Sequence, residues 1–277
     1  MNVVSFDKIP HSVYNENSYF VGGGSMPVNY IPLNVGIDFG SDYLTNEVAY
    51  FLGGILAADE SAIKNGIKYW IAPFRYNPTH ITTTEMEKHF NHVCTIGQTL
   101  KCPVYMKDTV RQAGLDSGKF RHPGFGAFFT SRGCEDLTTI LPDVRMALSR
   151  SSAEVRRCFI VGAFDGRCSV DVNSKTGKHR FIVLDCPNDT TGAFIKEIFE
   201  AENFHPKFNY SRDRPQGGNP RKAQLRIKGA DFVKFSQNYG LVSERKFNVL
   251  YSAYRTEFGE CNICEDNFIL NGLRTVR

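Results

Sequence analysis

One apolar stretch occurs twice in the chain: residues 51–61 read Phe-Leu-Gly-Gly-Ile-Leu-Ala-Ala-Asp-Glu-Ser, and residues 159–169 read Phe-Ile-Val-Gly-Ala-Phe-Asp-Gly-Arg-Cys-Ser. Laid over each other without a gap, the copies align at a constant offset of 108 residues (159 − 51), with Phe51 on Phe159 and Ser61 on Ser169. Internal similarity of this kind predicts a doubled architecture.

Both copies have the composition of a buried helix, because they are apolar on nearly every side. Each also carries small residues four positions apart, which share one helix face: Gly54 and Ala58 in the first copy, Gly162 and Gly166 in the second. Two such faces allow helices to approach backbone to backbone. The last turn of each helix would then bring an acidic residue toward a common point.

Composition describes an ordinary globular protein of 277 residues, with 42% hydrophobic and 22% charged residues and a net charge of +4. No apolar run reaches the roughly 18–20 residues that cross a bilayer, and the N-terminus lacks the layout of a signal peptide. We therefore expect a cytoplasmic protein, or an organellar or nucleoid-associated one. Cys261 and Cys264 form a CxxC pair, but neither a second pair nor suitably spaced histidines complete a zinc site.

Basic residues concentrate between positions 205 and 228, where seven cations oppose Asp213 alone. Clustered basic charge is the usual footprint of a polyanionic partner. The alternative is a solvated hairpin with no partner.

The pattern of the chain predicts the same order of elements twice. In the first half we expect helices over Thr45–Asp59 and Thr83–Thr99, strands over 67–77, 102–110 and 124–132, and a helical segment over Cys134–Leu148 that Pro142 kinks or splits in two. In the second half a capping box of Ser151 and Glu154 opens a helix to about Gly166. Strands follow over 168–173, 178–186, 206–212 and 221–228, and helices over Thr191–Phe204, Asp231–Tyr239 and Glu244–Thr256. The predicted domains are an arm (1–44), two halves (45–150 and 151–245) and a tail (246–277).

These paired helices, each followed by a mixed αββαββα run, resemble the LAGLIDADG homing endonucleases in their single-chain, two-repeat form. The nine-residue motif maps onto Leu52–Glu60 and Ile160–Cys168, and the resemblance covers roughly 45–245. It implies a mixed α/β fold of two pseudo-twofold-related halves, whose motif helices pack at the axis and whose antiparallel sheets form a DNA-binding saddle. It also implies a monomeric, sequence-specific endonuclease that hydrolyses double-stranded DNA with Mg²⁺, for which Mn²⁺ is expected to substitute.

The resemblance places the metal on acids at the ends of the motif helices. Asp59 matches the eighth motif position, whereas the second copy has Arg167 there and its acid, Asp165, two residues earlier. Two residues are about 200° of helical rotation, so Asp165 does not point where an acid at position 167 would point in a regular helix. Three possibilities follow. The helix ends early at Gly166 and frees Asp165, or Asp171 serves instead, or one centre alone works. Two carboxylates at one point would repel each other unless they share a cation, and Mg²⁺ supplies both that charge and a hydroxide.

The resemblance further implies that strand-end cations, Lys228 and its counterpart Arg132, polarise the attacking water or steady the developing charge near the scissile phosphate. Side chains on the groove-facing strands would read the DNA, with Arg and Lys suited to guanine and Asn and Gln to adenine. The candidates are Lys68, Trp70, Arg75, Tyr105, Lys107, Lys178, Arg180, Lys207, Asn209, Arg212, Arg221, Gln224 and Arg226.

The alternative function is a nucleic-acid binder that does not cleave: an intron-RNA maturase acting on structured RNA, or a DNA-binding regulator. A nickase with one working centre is a third outcome. Arg167 at the second acidic position favours these alternatives.

Overall fold

The computed structural model of the chain describes residues 35–37, 44–64, 67–73, 104–110, 119–129, 136–211, 222–241 and 244–259. Within these residues the protein is a mixed α/β structure, as predicted. The described helices are α1 (Asn46–Ala58), α2 (Leu141–Arg150), α3 (Ala153–Arg167), α4 (Asp189–Ala201), α5 (Ala230–Asn238) and α6 (Glu244–Phe258). The described strands are β1 (Val35–Ile37), β2 (Glu60–Lys64), β3 (Ile67–Pro73), β4 (Val104–Val110), β5 (Lys119–Phe129), β6 (Cys168–Val172), β7 (His179–Cys186), β8 (Lys207–Asn209) and β9 (Ala223–Ile227).

The two halves repeat one sheet topology. The second sheet has the order β6-β7-β9-β8 and is antiparallel throughout its described strands. The first sheet contains the matching series β2-β3-β5-β4, to which β1 adds a parallel pairing with β5. The αββαββα order is complete in the second half, from α3 to α5. In the first half, the helix predicted over Thr83–Thr99 lies outside the described residues.

The motif helices α1 and α3 meet backbone to backbone, and two glycines permit this. A Cβ on Gly53 would lie 2.0 Å from the carbonyl oxygen of Phe159, and a Cβ on Gly162 would lie 1.9 Å from that of Tyr50. Both distances are far below any non-bonded contact, so any side chain at either position would force the helices apart. The predicted close approach is confirmed, but the first half makes this contact through Gly53; we had expected Gly54 and Ala58 to form the small face.

This mirrored contact fixes how the two halves correspond. Gly53 faces Phe159 as Gly162 faces Tyr50, so the structural offset is 109 residues (162 − 53 and 159 − 50). The gapless offset of 108 is therefore wrong by one residue at the helices. Under the structural pairing Ala58 matches Arg167, and Asp59 matches Cys168.

The starts of the two motif helices agree with the sequence to different degrees. Thr45, where the first helix is predicted to begin, caps α1 by accepting a hydrogen bond from the Val48 amide. Helix α3 is capped by Ser152, whose side chain accepts from the Val155 amide, so the predicted capping box at Ser151 is wrong. Glu154, its expected partner, accepts a hydrogen bond from the side-chain amide of Asn46 at 3.0 Å instead.

A proline begins one further helix and a glycine follows another. A 3₁₀ turn over Leu137–Ile140 precedes α2, and Pro142 lies in the first turn of that helix, so the predicted split occurs. Gly240 follows α5 with φ 62°, the left-handed conformation in which glycine commonly ends a helix.

The core joins both motif helices to the second sheet. On β7 and β9 alternate residues, among them Ile182, Leu184, Leu225 and Ile227, are fully buried against the helices. Helix α6 belongs to this core through Phe247, Leu250, Ala253 and Tyr254. The domain boundary predicted at residue 245 therefore falls inside a helix that packs on the second half. None of the described helices combines the length and hydropathy needed to cross a bilayer.

Candidate nucleic-acid interface

The second sheet has a polar face opposite the core, which we call the outward face. It is formed by Ser169 and Asp171 of β6, Phe181, Val183 and Asp185 of β7, Gln224 and Arg226 of β9, and Lys207 and Asn209 of β8. Strand pairing sets Asp185 beside Gln224 and Val183 beside Arg226, and it sets Lys207 and Asn209 beside Arg226 and Gln224. Four predicted DNA-reading residues, Lys207, Asn209, Gln224 and Arg226, therefore share one surface.

Hydrogen bonds hold the centre of the outward face in a fixed arrangement. Gln224 donates from Nε2 to Asp185 Oδ1 at 2.8 Å, and Arg226 donates from Nη2 to Gln224 Oε1 at 2.8 Å. The Arg226 guanidinium also lies 4.8 Å from the centroid of the Phe181 ring. These contacts orient the amide and the guanidinium before any partner arrives, which lowers the entropy cost of binding. Asp185 and Phe181 were not among the residues predicted from the sequence. Their alternation with the apolar Ile182 and Leu184 does indicate that they lie on the opposite face of the strand.

Exposed lysines lie at one end of the outward face. Lys178 precedes β7 and Lys228 follows β9, and both are exposed. Because Ile182 pairs with Ile227 in these antiparallel strands, the two lysines lie at the same end of the sheet. Helix α3 leads into β6 at Cys168, which pairs with Leu184 toward the opposite end. The cations therefore lie away from the motif helices.

The predicted DNA-reading residues that are not on the outward face are only partly described by the structure. Lys68 Nζ lies 4.3 Å from the centroid of the Trp70 ring on β3, and Trp70 is buried, with 4% of its surface exposed. Tyr105 and Lys107 belong to β4, and Arg180 belongs to β7. The predicted residues Arg75, Arg132, Arg212 and Arg221 lie outside the described residues.

Asp59, the first predicted metal ligand, follows the last residue of α1. It ends the helix with φ 51° and ψ 45°, and its amide donates to the carbonyl oxygen of Ile55. The residue is exposed, but partial desolvation of its carboxylate raises its pKa, and the charge of Asp136 adds to this. Lys68 and Arg167 oppose that rise in pKa.

Asp165, the second predicted ligand, points into the helix interface. It is 1% exposed, and its Oδ2 accepts a hydrogen bond from the Tyr50 hydroxyl at 2.9 Å. Burial and the Asp165 charge together hold the pKa of Tyr50 well above its usual range. Helix α3 continues through Arg167, so the idea that it ends at Gly166 and releases Asp165 is wrong.

Arg167 bridges the C-terminal ends of the motif helices, a site we call the helix-pair end and define by Ala58, Asp59, Glu60 and Arg167. Its Nη2 donates to the carbonyl oxygen of Ala58 at 2.9 Å and to Glu60 Oε1 at 3.1 Å. Burial lowers the pKa of Arg167, and the charges of Asp185 and Asp59 oppose that shift. A cation from one half thus binds the last helical carbonyl of the other.

The helix-pair end does not fit a shared Mg²⁺ ion. Mg²⁺ requires oxygen ligands arranged around one point. Asp59 is exposed beside Asp136 and Lys68, whereas Asp165 is buried on Tyr50, and the guanidinium of Arg167 occupies the place between the helix ends. Within the described ranges, no three His, Cys, Asp or Glu side chains are grouped as metal ligands. Binding of Mg²⁺ by Asp59 and Asp165 stays a prediction that this geometry does not support.

Neither a protein-family model nor a curated protein matches the sequence. Among solved structures, the chain is similar to the N-terminal LAGLIDADG domain of DUF199/WhiA, with 13% identity over 78% of this chain and 83% of that one and a TM-score of 0.40. It is also similar to full-length DUF199/WhiA from Thermatoga maritima, with 12% identity and a TM-score of 0.38. That match covers 78% of this chain and 57% of the other.

Proposed function

We propose that the protein binds double-stranded DNA in a sequence-specific manner and does not cleave it. The observation that carries the proposal is the outward face, where Lys207, Asn209, Gln224 and Arg226 lie side by side in strand register. Arginine can bind guanine O6 and N7 through two hydrogen bonds, and Gln and Asn can bind adenine in the same way. The surface therefore combines side chains that distinguish bases with a cation that neutralises phosphate.

Duplex DNA fits this surface better than duplex RNA does. The major groove of B-DNA admits a β-ribbon, whereas the A-form major groove is too deep and narrow for side chains to read. Lys178 and Lys228, exposed at one end of the sheet, would contact phosphates that flank the bases read by Gln224 and Arg226. The duplex regions of a structured intron RNA are thus less favoured partners than duplex DNA.

The helix-pair end supports binding without hydrolysis. Hydrolysis with Mg²⁺ needs carboxylates that face the phosphate and hold the ion. In this chain Asp165 is buried on Tyr50, and Arg167, at the eighth position of the second motif, binds the Ala58 carbonyl. A guanidinium fixed at this point supplies positive charge that a metal ion would otherwise supply.

Selection from a randomised duplex library tests the proposal. The full chain is incubated with the library in EDTA or in Mg²⁺, bound duplexes are recovered, and both bound sequences and free ends are sequenced. We expect a recurrent sequence among intact bound duplexes in both conditions. Recurrent paired breaks in Mg²⁺ would instead establish the endonuclease, and recurrent single-strand breaks the nickase. Retention of structured RNA in preference to every duplex would establish the maturase-like alternative.

Matched variants locate the contacts. Arg226→Ala should weaken binding by about 1–3 kcal/mol and relax the preference at one guanine. Lys228→Ala should weaken binding to all duplexes alike and reduce the salt slope by about 1. Lys196→Ala is the control, because Lys196 lies on α4 and pairs with Glu200 away from the outward face. Equal effects of all three substitutions would contradict the assignment of the outward face.

A further inference from the structure

We infer that the Arg167 guanidinium is a permanent counter-cation of the helix-pair end and takes the place that the resemblance assigns to a divalent metal ion. The inference concerns the chain itself and does not depend on whether it binds DNA. The motif comparison indicates only that Arg167 stands where an acid is expected, whereas the contacts of its guanidinium give it a role of its own.

The contacts of Arg167 are those that a bound cation would make. One guanidinium nitrogen lies 2.9 Å from the carbonyl oxygen of Ala58, the last residue of α1, and 3.1 Å from a carboxylate oxygen of Glu60. A helix C-terminus carries a partial negative charge, so a cation there is stabilising. Carbonyl and carboxylate oxygens are also the ligands that Mg²⁺ and Ca²⁺ prefer. The guanidinium thus contacts the kinds of oxygen atom that would otherwise coordinate a metal ion.

The surrounding charges require a cation at this place. Asp59 and Asp185 both act electrostatically on Arg167, and Asp136 acts on Asp59. Together with Glu60 these are four carboxylates, and Lys68 is the other cation that acts on Asp59 among the described residues. Loss of Arg167 would remove one of the two cations that act on Asp59. A cation at this place offsets repulsion between neighbouring carboxylates.

Burial makes the loss of one partner costly. The side chains of Arg167 and Glu60 are only 16% and 10% exposed, so removing Arg167 would leave the Glu60 carboxylate without a counter-charge that solvent does not readily replace. A guanidinium keeps its charge under all ordinary conditions and binds through several donors of fixed geometry. We therefore expect the helix-pair end to be complete without any metal, and divalent ions to leave the stability of the protein unchanged.

Thermal unfolding with and without divalent ions tests the inference. The full chain, Arg167→Ala, Arg167→Lys and Arg145→Ala are melted in EDTA, in millimolar MgCl₂ and in millimolar CaCl₂. Arg145→Ala is the control, because Arg145 forms an ion pair with Glu197 in which both side chains are about half exposed (47% and 53%). Breaking such an exposed pair has a small effect.

We expect the unsubstituted protein to melt at one temperature in all three solutions. Arg167→Ala should lower the Tm in EDTA by on the order of 10 °C, because it removes the guanidinium that the Glu60 carboxylate contacts in a largely buried pair. Mg²⁺ or Ca²⁺ should restore part of that loss. The Tm of Arg167→Lys should lie between those of the unsubstituted protein and Arg167→Ala. Arg145→Ala should melt like the unsubstituted protein in every solution.

Three results would overturn the inference. A rise in the Tm of the unsubstituted protein in MgCl₂ or CaCl₂ would show that the site still takes a metal, and this measurement holds even if Arg167→Ala fails to fold. An Arg167→Ala protein no less stable than Arg145→Ala would show that the contact is not stabilising. A destabilised Arg167→Ala protein that neither ion rescues would show that Arg167 packs there without standing in for a cation.

Discussion

The two motif helices make the same contact at their centres and have different chemistry at their ends. Gly53 of α1 and Gly162 of α3 mirror each other across the interface. At the ends, α1 stops at Ala58 with Asp59 in a left-handed conformation, whereas α3 stops at Arg167 with Cys168 extended at φ −81°. In the matched pair Asp59 and Cys168, one half has an exposed carboxylate. The other half has a buried thiol, whose pKa burial raises to about 12.

Both halves need a glycine at the helix crossing, whereas the counter-charge at the helix-pair end can come from either half. A backbone contact between helices fails if either glycine acquires a side chain, so both copies keep a glycine at the crossing. A counter-charge at the helix-pair end is needed once, and Arg167 of α3 supplies it to the carbonyl oxygen of Ala58 in α1.

Gly53→Ala and Gly162→Ala should destabilise the protein most, and by similar amounts. Each new methyl group would meet a backbone carbonyl oxygen, at 2.0 Å and 1.9 Å respectively, and a backbone cannot rotate away. We expect about 3 kcal/mol or more of unfolding free energy to be lost in each case, despite the better helix propensity of alanine. Denaturant unfolding measures both losses.

Gly192→Ala is the matched control for these two substitutions. Its Cβ would lie 2.5 Å from the Phe208 ring, a side chain that can turn aside. We expect a clearly smaller loss of stability. If Gly53→Ala and Gly162→Ala cost no more than Gly192→Ala, the backbone contact is not what fixes the helix pair, and the offset of 109 residues loses its basis.

The sequence predicted those parts of the fold that local pattern controls. Thr45 and Gly240 mark helix ends through their own side chain or conformation, and Pro142 divides the helical segment before α3 because it lacks an amide hydrogen. Strand β2 was not predicted. Its sequence, Glu-Ser-Ala-Ile-Lys, has little β pattern, and it becomes a strand by pairing with β3.

Contacts between distant residues lay beyond local pattern. Gly53 and Gly54 are adjacent and chemically identical, so nothing in the sequence indicates which of them faces Phe159. The partner of Asp165 is Tyr50, 115 residues away, and its hydroxyl turns a predicted metal ligand into an internal hydrogen-bond acceptor. The sequence therefore locates the site at the helix ends. Its chemistry depends on which residues of the two helices face each other, and a shift of one residue changes that pairing.

The Tyr50–Asp165 contact should be replaceable by the apolar residues of the other half. Under the structural pairing Tyr50 matches Phe159, and Asp165 matches Leu56 (165 − 109). Asp165→Leu alone leaves a buried hydroxyl without this acceptor, and Tyr50→Phe alone removes a donor from a buried carboxylate. We expect each single substitution to lower the unfolding free energy by about 1.5–3 kcal/mol.

The double variant Tyr50→Phe with Asp165→Leu should recover most of that loss, because replacing both partners by apolar groups leaves no buried polar atom of the pair unsatisfied. Urea unfolding of the four proteins gives the coupling energy as a double-mutant cycle. Losses that simply add would mean that the hydrogen bond contributes little, and that other contacts hold Asp165.

Asp59→Gly should have the smallest effect, and it should stabilise the protein. Asp59 has φ 51°, a conformation that costs a residue with a side chain about 1 kcal/mol and costs glycine nothing. Its exposed carboxylate, whose pKa is already raised, contributes little to offset that strain. We expect a gain of up to about 1 kcal/mol in the urea unfolding free energy. Cys168→Gly at the matched position should give no gain, because Cys168 is buried and extended. A clear loss of stability in Asp59→Gly would mean that its carboxylate is bound at the helix-pair end after all, as a shared metal site requires.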